Sequence, residues 1–260
     1  MKSLIITSDD YGISSEINYA IIQLIDKRIL NKVSVMQGDF VIPNNSINSA
    51  NILTGLHIDF VYRSIYSMNK KIVSISPFKL FLNCYFSKNF DKLKYFQHLT
   101  NQANFIKSKG FKINYLDTHL HIHILPRILD ILISYAKQNG IKDIRCITMN
   151  FKYFPNYIFL LIKNGFLLQV FKIILLYFFG LFMKKKLVKN NINFSKNLVL
   201  MPLAGKGNYH ELLYQLINLF KDDIVEIVTH PGEIQQKPFD KYNEGRNIEY
   251  NSLTNLKIIK

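Results

Sequence analysis

Cysteine is nearly missing from this chain of 260 residues, with only Cys84 and Cys146 present. Two thiols so far apart supply neither a disulfide framework nor a thiolate metal site, and they fit a reduced cytoplasm. Acidic residues are scarce as well: 18 Asp and Glu stand against 33 Lys and Arg, a formal net charge of +15. A surplus of that sign suits nucleic acid, an anionic membrane surface or an acidic substrate, because each offers negative charge that a basic surface attracts over about a Debye length. Here the excess is mostly Lys, spread along a sequence also rich in Asn and Ile, which is the pattern of compositional drift. No Arg-rich patch interleaved with aromatics supports nucleic acid.

Internal repeats, low-complexity linkers and Pro- or Gly-rich boundaries are also missing, so one domain spanning 1–260 is the economical organisation. Hydrophobic residues make up 48% and charged residues 20%, the balance of a folded globular protein. The opening "MKSLIITSDDYG" reaches acidic residues after a short apolar run, lacks the core and cleavage site of a signal peptide, and reads as a first strand. No uninterrupted apolar run is long enough to span a bilayer. In "FLLQVFKIILLYFFGLFMKKK", residues 166–186, the unbroken part covers only 173–183, and Gln169 and Lys172 interrupt any extension. Two readings stay open for this segment. It suits a helix lying in the membrane interface with Lys184, Lys185 and Lys186 over anionic lipid, and equally an outer helix packed on its neighbours with the lysines as a solvated end.

Short runs rich in Ile, Val and Leu recur with helical stretches between them, which predicts an α/β fold. Strands are expected at 3–7, 32–36, 52–58, 113–118, 143–147, 197–201 and 224–229. Between the first two, Ser14 or Ser15 can cap a helix whose apolar face is Ile17, Ala20, Ile21, Leu24 and Ile25. A second helix follows Pro126, buries Ile128, Leu129, Leu132, Ile133 and Ala136, and stops at Gly140. The segment 61–112 has weaker periodicity and reads as insertions plus a helix leading into the next strand.

Acids and histidines fall at the ends of these strands. Asp9 and Asp10 follow the first, His57 ends the third, Asp117 and His119 end the fourth, and His230 ends the last. In an α/β barrel the C-terminal strand ends converge on one mouth, so distant positions can form a single site. Taken alone, "DD" before Gly is an ordinary strand-to-turn sequence, and His57 in "TGLHIDF" has the look of a satisfied core histidine beside a glycine that permits close backbone approach. "HLHIH" is harder to dismiss. Strand alternation sets His119, His121 and His123 on one face and Leu120, Ile122 and Ile124 on the other, and three imidazoles in a core would be costly without partners. One carboxylate and two imidazoles can hold a divalent metal with positions open for water and substrate, while a second carboxylate takes the water's proton and another histidine protonates a leaving amine. That inventory fits metal-assisted hydrolysis of an amide or ester.

These residues resemble the YdjC-like family of carbohydrate deacetylases, which includes chitooligosaccharide deacetylases and hopanoid-associated deacetylase-like proteins. The resemblance rests on "LIITSDDYGISSEIN", "TGLHIDF", "LDTHLHIHILP" followed by a helix and "GIKDIRC", "EIVTHPGE" and a closing "RNIEYNSL", in order over nearly the whole chain. It implies a distorted (β/α) barrel of the glycoside hydrolase and deacetylase type that binds one divalent metal and removes acetyl from an N-acetylated sugar. By position, the metal ligands would be Asp10, His57 and His119. Asp9 would be the base, His230 the acid or oxyanion partner, and Asp117 the support of a histidine, with His119 as the ligand it serves. His121 and His123 would line the pocket, and Arg145 would hold the substrate or its leaving product. Magnesium is the family's habit, and two imidazoles suit zinc or another transition metal equally.

The stretch 151–196 is unusually apolar and basic for the family and is expected to vary with substrate. The partners expected are an N-acetylated carbohydrate or glycolipid, no nucleic acid, a peripheral membrane contact through 166–186 and a homodimer. The expected location is cytoplasmic, peripheral on the inner membrane face. Two other readings compete: a non-catalytic barrel that binds glycan or a membrane surface, and another 2-His-1-carboxylate metalloenzyme.

Overall fold

A computed structural model of the chain describes residues 3–38, 47, 52–61, 66–67, 70–71, 76–203, 207–236 and 241–256. The strands are β1 (Ser3–Tyr11), β2 (Lys32–Val35), β3 (Leu53–Ile58), β4 (Tyr66–Ser67), β5 (Lys70–Lys71), β6 (Tyr115–Thr118), β7 (Asp143–Ile144), β8 (Leu198–Leu200) and β9 (Ile224–Thr229). β4 and β5 form a separate antiparallel ribbon. The other seven make one sheet in the order β7-β6-β3-β2-β1-β9-β8, every pairing of which is parallel. These are the seven expected strands: β1 runs on past the expected 3–7 to Tyr11, β9 has the expected bounds, and the other five are shorter by one to three residues.

The sheet curls into a half-barrel. Its two edges approach each other where Ile144 N donates to Asn193 O (3.1 Å), Asn193 N to Lys142 O (2.8 Å) and Leu198 N to Thr148 O (2.8 Å). Strands such as "LIIT" and "IVEIVT" are nearly continuous in β-branched and apolar residues because both faces of a parallel sheet are covered. Inside the curl, Gly55 is required by close approach: a Cβ there would sit 2.3 Å from the ring of Tyr115, its register partner on β6.

Helices cover the outside: α1 (Ser15–Asp26), α2 (Pro77–Phe86), α3 (Lys92–Ser108), α4 (Pro126–Gln138), α5 (Phe154–Lys163), α6 (Leu167–Lys189), α7 (Tyr209–Leu219) and α8 (Asn243–Thr254). Ser14 caps α1, its hydroxyl accepting from Ile17 N at 3.2 Å, and the buried face of α1 contains all five expected apolar residues. α4 starts on Pro126, buries the expected residues, and gives way to Gly140 at φ 66. The 61–112 segment carries α2 and α3, the latter leading toward β6 as expected; its residues 62–65, 68–69 and 72–75 lie outside the described ones.

The alternation expected for "HLHIH" does not form. β6 ends at Thr118, and 119–124 winds as a 3₁₀ stretch in which Leu120 and His121 take φ 56 and 58. Thr118 is the cause: its Oγ1 accepts from His123 N at 2.9 Å and contacts His123 Nδ1 at 2.6 Å, turning the chain back before Pro126 opens α4. A period of two therefore never applies, and Leu120 lines the same cavity as His119 and His121.

Candidate metal centre

Parallel strands end on the same side, which gathers Asp9 and Asp10 of β1, His57 of β3, His119 after β6, Arg145 after β7 and His230 after β9. Consecutive carboxylates on a strand should point to opposite faces. Here the β1–β2 register shifts between Ser8 and Tyr11, and Asp10 has φ 71, a left-handed backbone that a residue with a Cβ seldom adopts. This bulge re-aims the chain so that both carboxylates line one cavity.

Asp10 Oδ1 sits between two imidazoles, 3.3 Å from His57 Nε2 and 3.2 Å from His119 Nδ1. The three buried residues present donor atoms within 4.8 Å of one another. Ligand distances of about 2.0–2.2 Å put neighbouring donors around one cation about 3–3.5 Å apart, so this set fits a divalent metal. Its other oxygen, Oδ2, accepts from Arg246 Nη2 at 2.6 Å, which fixes the carboxylate's orientation. Asp9, His57 and Asp117 form a second grouping of the same tightness. That grouping is already neutralised, because Arg145 reaches both of its carboxylates, and Asp117 does not line the cavity. The first set is the one open to a cation.

Asp117 supports His57, whereas the sequence pointed to His119. His57 and Asp117 are register partners across β3 and β6, and His57 Nδ1 meets Asp117 Oδ1 at 2.7 Å. Asp117 Oδ2 takes Ser34 Oγ at 2.6 Å and Arg145 Nη2 at 2.7 Å. Burial opposes a charge on His57, yet Asp117, Asp9 and Asp10 outweigh it and hold the ring well above the usual histidine range. Burial likewise opposes the charge on Asp10, and Arg246 with the two histidines keeps that carboxyl well below the ordinary value.

Arg145, expected at the substrate, clamps the site from behind. Its Nη1 and Nη2 reach Asp9 Oδ2 and Oδ1 at 2.6 and 2.7 Å, and it does not line the cavity. The fork overcomes burial and keeps Asp9 ionised far below the ordinary range. His230 Nε2 stands 3.8 Å from Asp9 Oδ2. Burial, against the pull of Asp9 and Asp10, lowers His230 to about 4, so the ring is neutral near pH 7. His121 lines the cavity as expected, whereas His123 is fully buried on Thr118 and does not.

Two positioning residues were not assigned from the sequence. On α8, Arg246 grips Asp10 and also donates to His230 O at 3.3 Å, while Glu249 Oε2 accepts from His230 N at 2.8 Å. Tyr209 donates to the other oxygen of Glu249, and burial raises that carboxyl to about 8. The only sequence signal for this pair was the "RNIEYNSL" pattern, which carries no hint of which strand end α8 meets.

The cavity measures about 480 Å³. α6 supplies Gln169, Lys172, Ile173 and Leu176 to its wall, and residues 200–203 line it as well. Lys172 and Lys241 both line it and have no carboxylate partner among the described residues. Crowding by protein atoms and the charge of Lys241 lower the pKa of Lys172.

Among solved structures, a protein from Enterococcus faecalis V583 described as a candidate cellobiose-phosphate cleavage protein aligns with a TM-score of 0.64 at 16% identity, covering 97% of this chain and 90% of that one. At that identity the likeness concerns the fold. No curated protein matches the chain. The family profile described as YdjC-like protein matches residues 3–259, and the chain therefore belongs to the YdjC-like family.

Proposed function

We propose that this protein is a carbohydrate deacetylase, hydrolysing the amide of an N-acetylated sugar, oligosaccharide or glycolipid, to acetate and free amine. The observation that carries the reading is the convergence of Asp10 Oδ1, His57 Nε2 and His119 Nδ1 beside a second, separately held carboxylate, Asp9, in one cavity. Asp10, His57 and His119 would hold the cation, magnesium by family habit, with zinc or another transition metal suited to the two imidazoles. The chemistry a divalent cation supplies in such a site is acidification of water and polarisation of a carbonyl oxygen.

The chain's own residues handle the protons. Asp9 is ionised at rest and rigidly aimed, so it orients water and takes up its proton during the reaction; Arg145 makes it a weak base, sufficient only for water that is itself acidified. His230, neutral at rest and 3.8 Å from Asp9, is placed to take that proton and pass it to the nitrogen as the C–N bond breaks. Asp117 and Arg246 hold His57 and Asp10 in register for the cation. The family and the cavity favour this over a non-catalytic barrel, since every group that hydrolysis needs is present and aimed at the same space. The two buried free cysteines suit a cytoplasmic setting, and one domain over 1–260, with 151–196 as its variable wall, is the working unit.

Acetate release across a panel of N-acetylated sugars and glycolipids, with metal supplied, tests the activity. His57→Ala and His119→Ala should each abolish metal retention, and Asp9→Asn should keep metal and lose turnover. Hydrolysis by Asp9→Asn at the parent rate would remove Asp9 as the base.

A further inference from the structure

α6 is the longest helix among those described, 23 residues, and apolar enough by length and composition to cross a membrane. It does not stand free. Val170, Ile173, Tyr177, Gly180, Met183 and Leu187 are buried at helical spacing along its whole length. Tyr177 donates to Leu198 O, and a Cβ on Gly180 would lie 1.7 Å from Ile147 O, so the helix axis rests directly on the barrel wall. A helix pinned from end to end in this way lies flat on its domain and cannot cross a bilayer while the domain is folded.

The opposite face is apolar and bare. Leu168 and Phe171 are 90% and 77% exposed, and Leu175, Phe178 and Phe182 continue the same stripe at intervals of three and four residues. A contiguous apolar stripe of this extent on a protein surface marks an interaction site. Its chemistry is narrowed by charge. No Asp or Glu occurs between Asp143 and Glu211, while Lys163, Lys184, Lys185 and Lys189 stand exposed at the ends of α5 and α6. Lys186 turns back to Asp130 at 2.7 Å, which orders the basic end of the helix.

We infer that the outer face of α6 docks on an anionic bilayer, with Phe171, Phe178 and Phe182 sunk among the acyl chains and the lysines at the headgroups. A partner protein surface would need to match a stripe whose helix and neighbouring segments carry exposed lysines and no carboxylate of their own, which an anionic lipid surface does without shape complementarity. The cavity then opens beside the membrane, because Gln169, Lys172, Ile173 and Leu176 of the same helix form its wall. The proposal stands apart from the chemistry assigned to that cavity, since it concerns residues that do not line it.

The test is co-sedimentation of the full chain with vesicles of phosphatidylglycerol and phosphatidylcholine, compared with phosphatidylcholine alone. The mixed vesicles should bind the protein at least about tenfold more strongly, and raised salt should release it. The triple variant Phe171→Glu, Phe178→Glu, Phe182→Glu should lose that binding by at least about tenfold, whereas Tyr19→Glu on α1 should not. Unchanged circular dichroism and thermal midpoint show that the variant is folded. Equal binding to neutral vesicles, undiminished binding of the triple variant, or a soluble dimer that the triple variant disperses would each overturn the proposal, the last by giving the face to a second copy. These readouts do not depend on acetate release, so loss of the deacetylase reading would leave them intact.

Discussion

Arg145→Met removes the guanidinium that Asp9 and Asp117 share and leaves the His57 ring as the positive group beside them. Both carboxylates are completely buried, and the guanidinium meets them at 2.6, 2.7 and 2.7 Å. Breaking a buried ion pair by deleting one partner costs about 3–5 kcal/mol, because the charge left behind is out of water and has lost its closest partner. For a chain of this size that corresponds to a fall of about 6–20 °C in thermal midpoint. The pH dependence is the sharper consequence. In the parent, Asp9 titrates below its unfolded value, so its contribution to stability is present above about pH 4 and is lost as the pH falls toward the folded value. Without Arg145, burial is unopposed by its nearest cation and pushes the Asp9 carboxyl up. Its ionisation then costs stability as the pH rises. Thermal unfolding of parent and variant in chelator, from pH 4 to 7, should show a gap that widens with pH. A gap below about 1 kcal/mol, or one that stays constant, would refute the reasoning that Arg145 holds two buried anions.

Binding of a divalent metal should release close to one proton at pH 7, because His57 is held well above the usual range and must be neutral to ligate. Calorimetry in buffers of different ionisation enthalpy reads this directly, and a buffer-independent heat would contradict it. Glu249→Gln should flatten stability between pH 5 and 8: the parent carboxyl, raised to about 8, favours the folded state most below its unfolded value and loses that contribution as the pH climbs. Thermal midpoints across that range decide the matter, and parallel curves would count against it. Gly180→Ala should cost about 1–3 kcal/mol, since its Cβ must displace a backbone carbonyl, and a midpoint equal to the parent's would show that α6 is not pinned there.

Several features were legible in the residues because they follow from local rules. The apolar runs specified seven strands, and the Ser14 cap and the Pro126 start specified the helices that follow the first and fourth of them. Parallel strands place their ends together, so the company of Asp9, His57, His119 and His230 at one end of the sheet followed from topology. The 166–186 segment was read as either interfacial or packed; it is packed on one face and bare on the other.

What the sequence could not determine depends on departures from those rules and on contacts made across the fold. The two-residue period failed at "HLHIH" because Thr118 bends the chain back through His123, so His123 left the pocket and Leu120 entered it. The same period would have separated Asp9 from Asp10, and only the bulge with its left-handed Asp10 brought them to one side. Asp117 was assigned to its neighbour His119 in sequence, whereas cross-strand register gave it to His57. Arg145 was placed at the substrate and is buried behind it, because two carboxylates from different strands claim its fork. Sequence alone determined which carboxylates and imidazoles stand at the strand ends, since short-range propensity sets those ends. Which atom faces which was decided by tertiary structure, because register, bulges and buried charge pairing are properties of chain segments far apart in sequence.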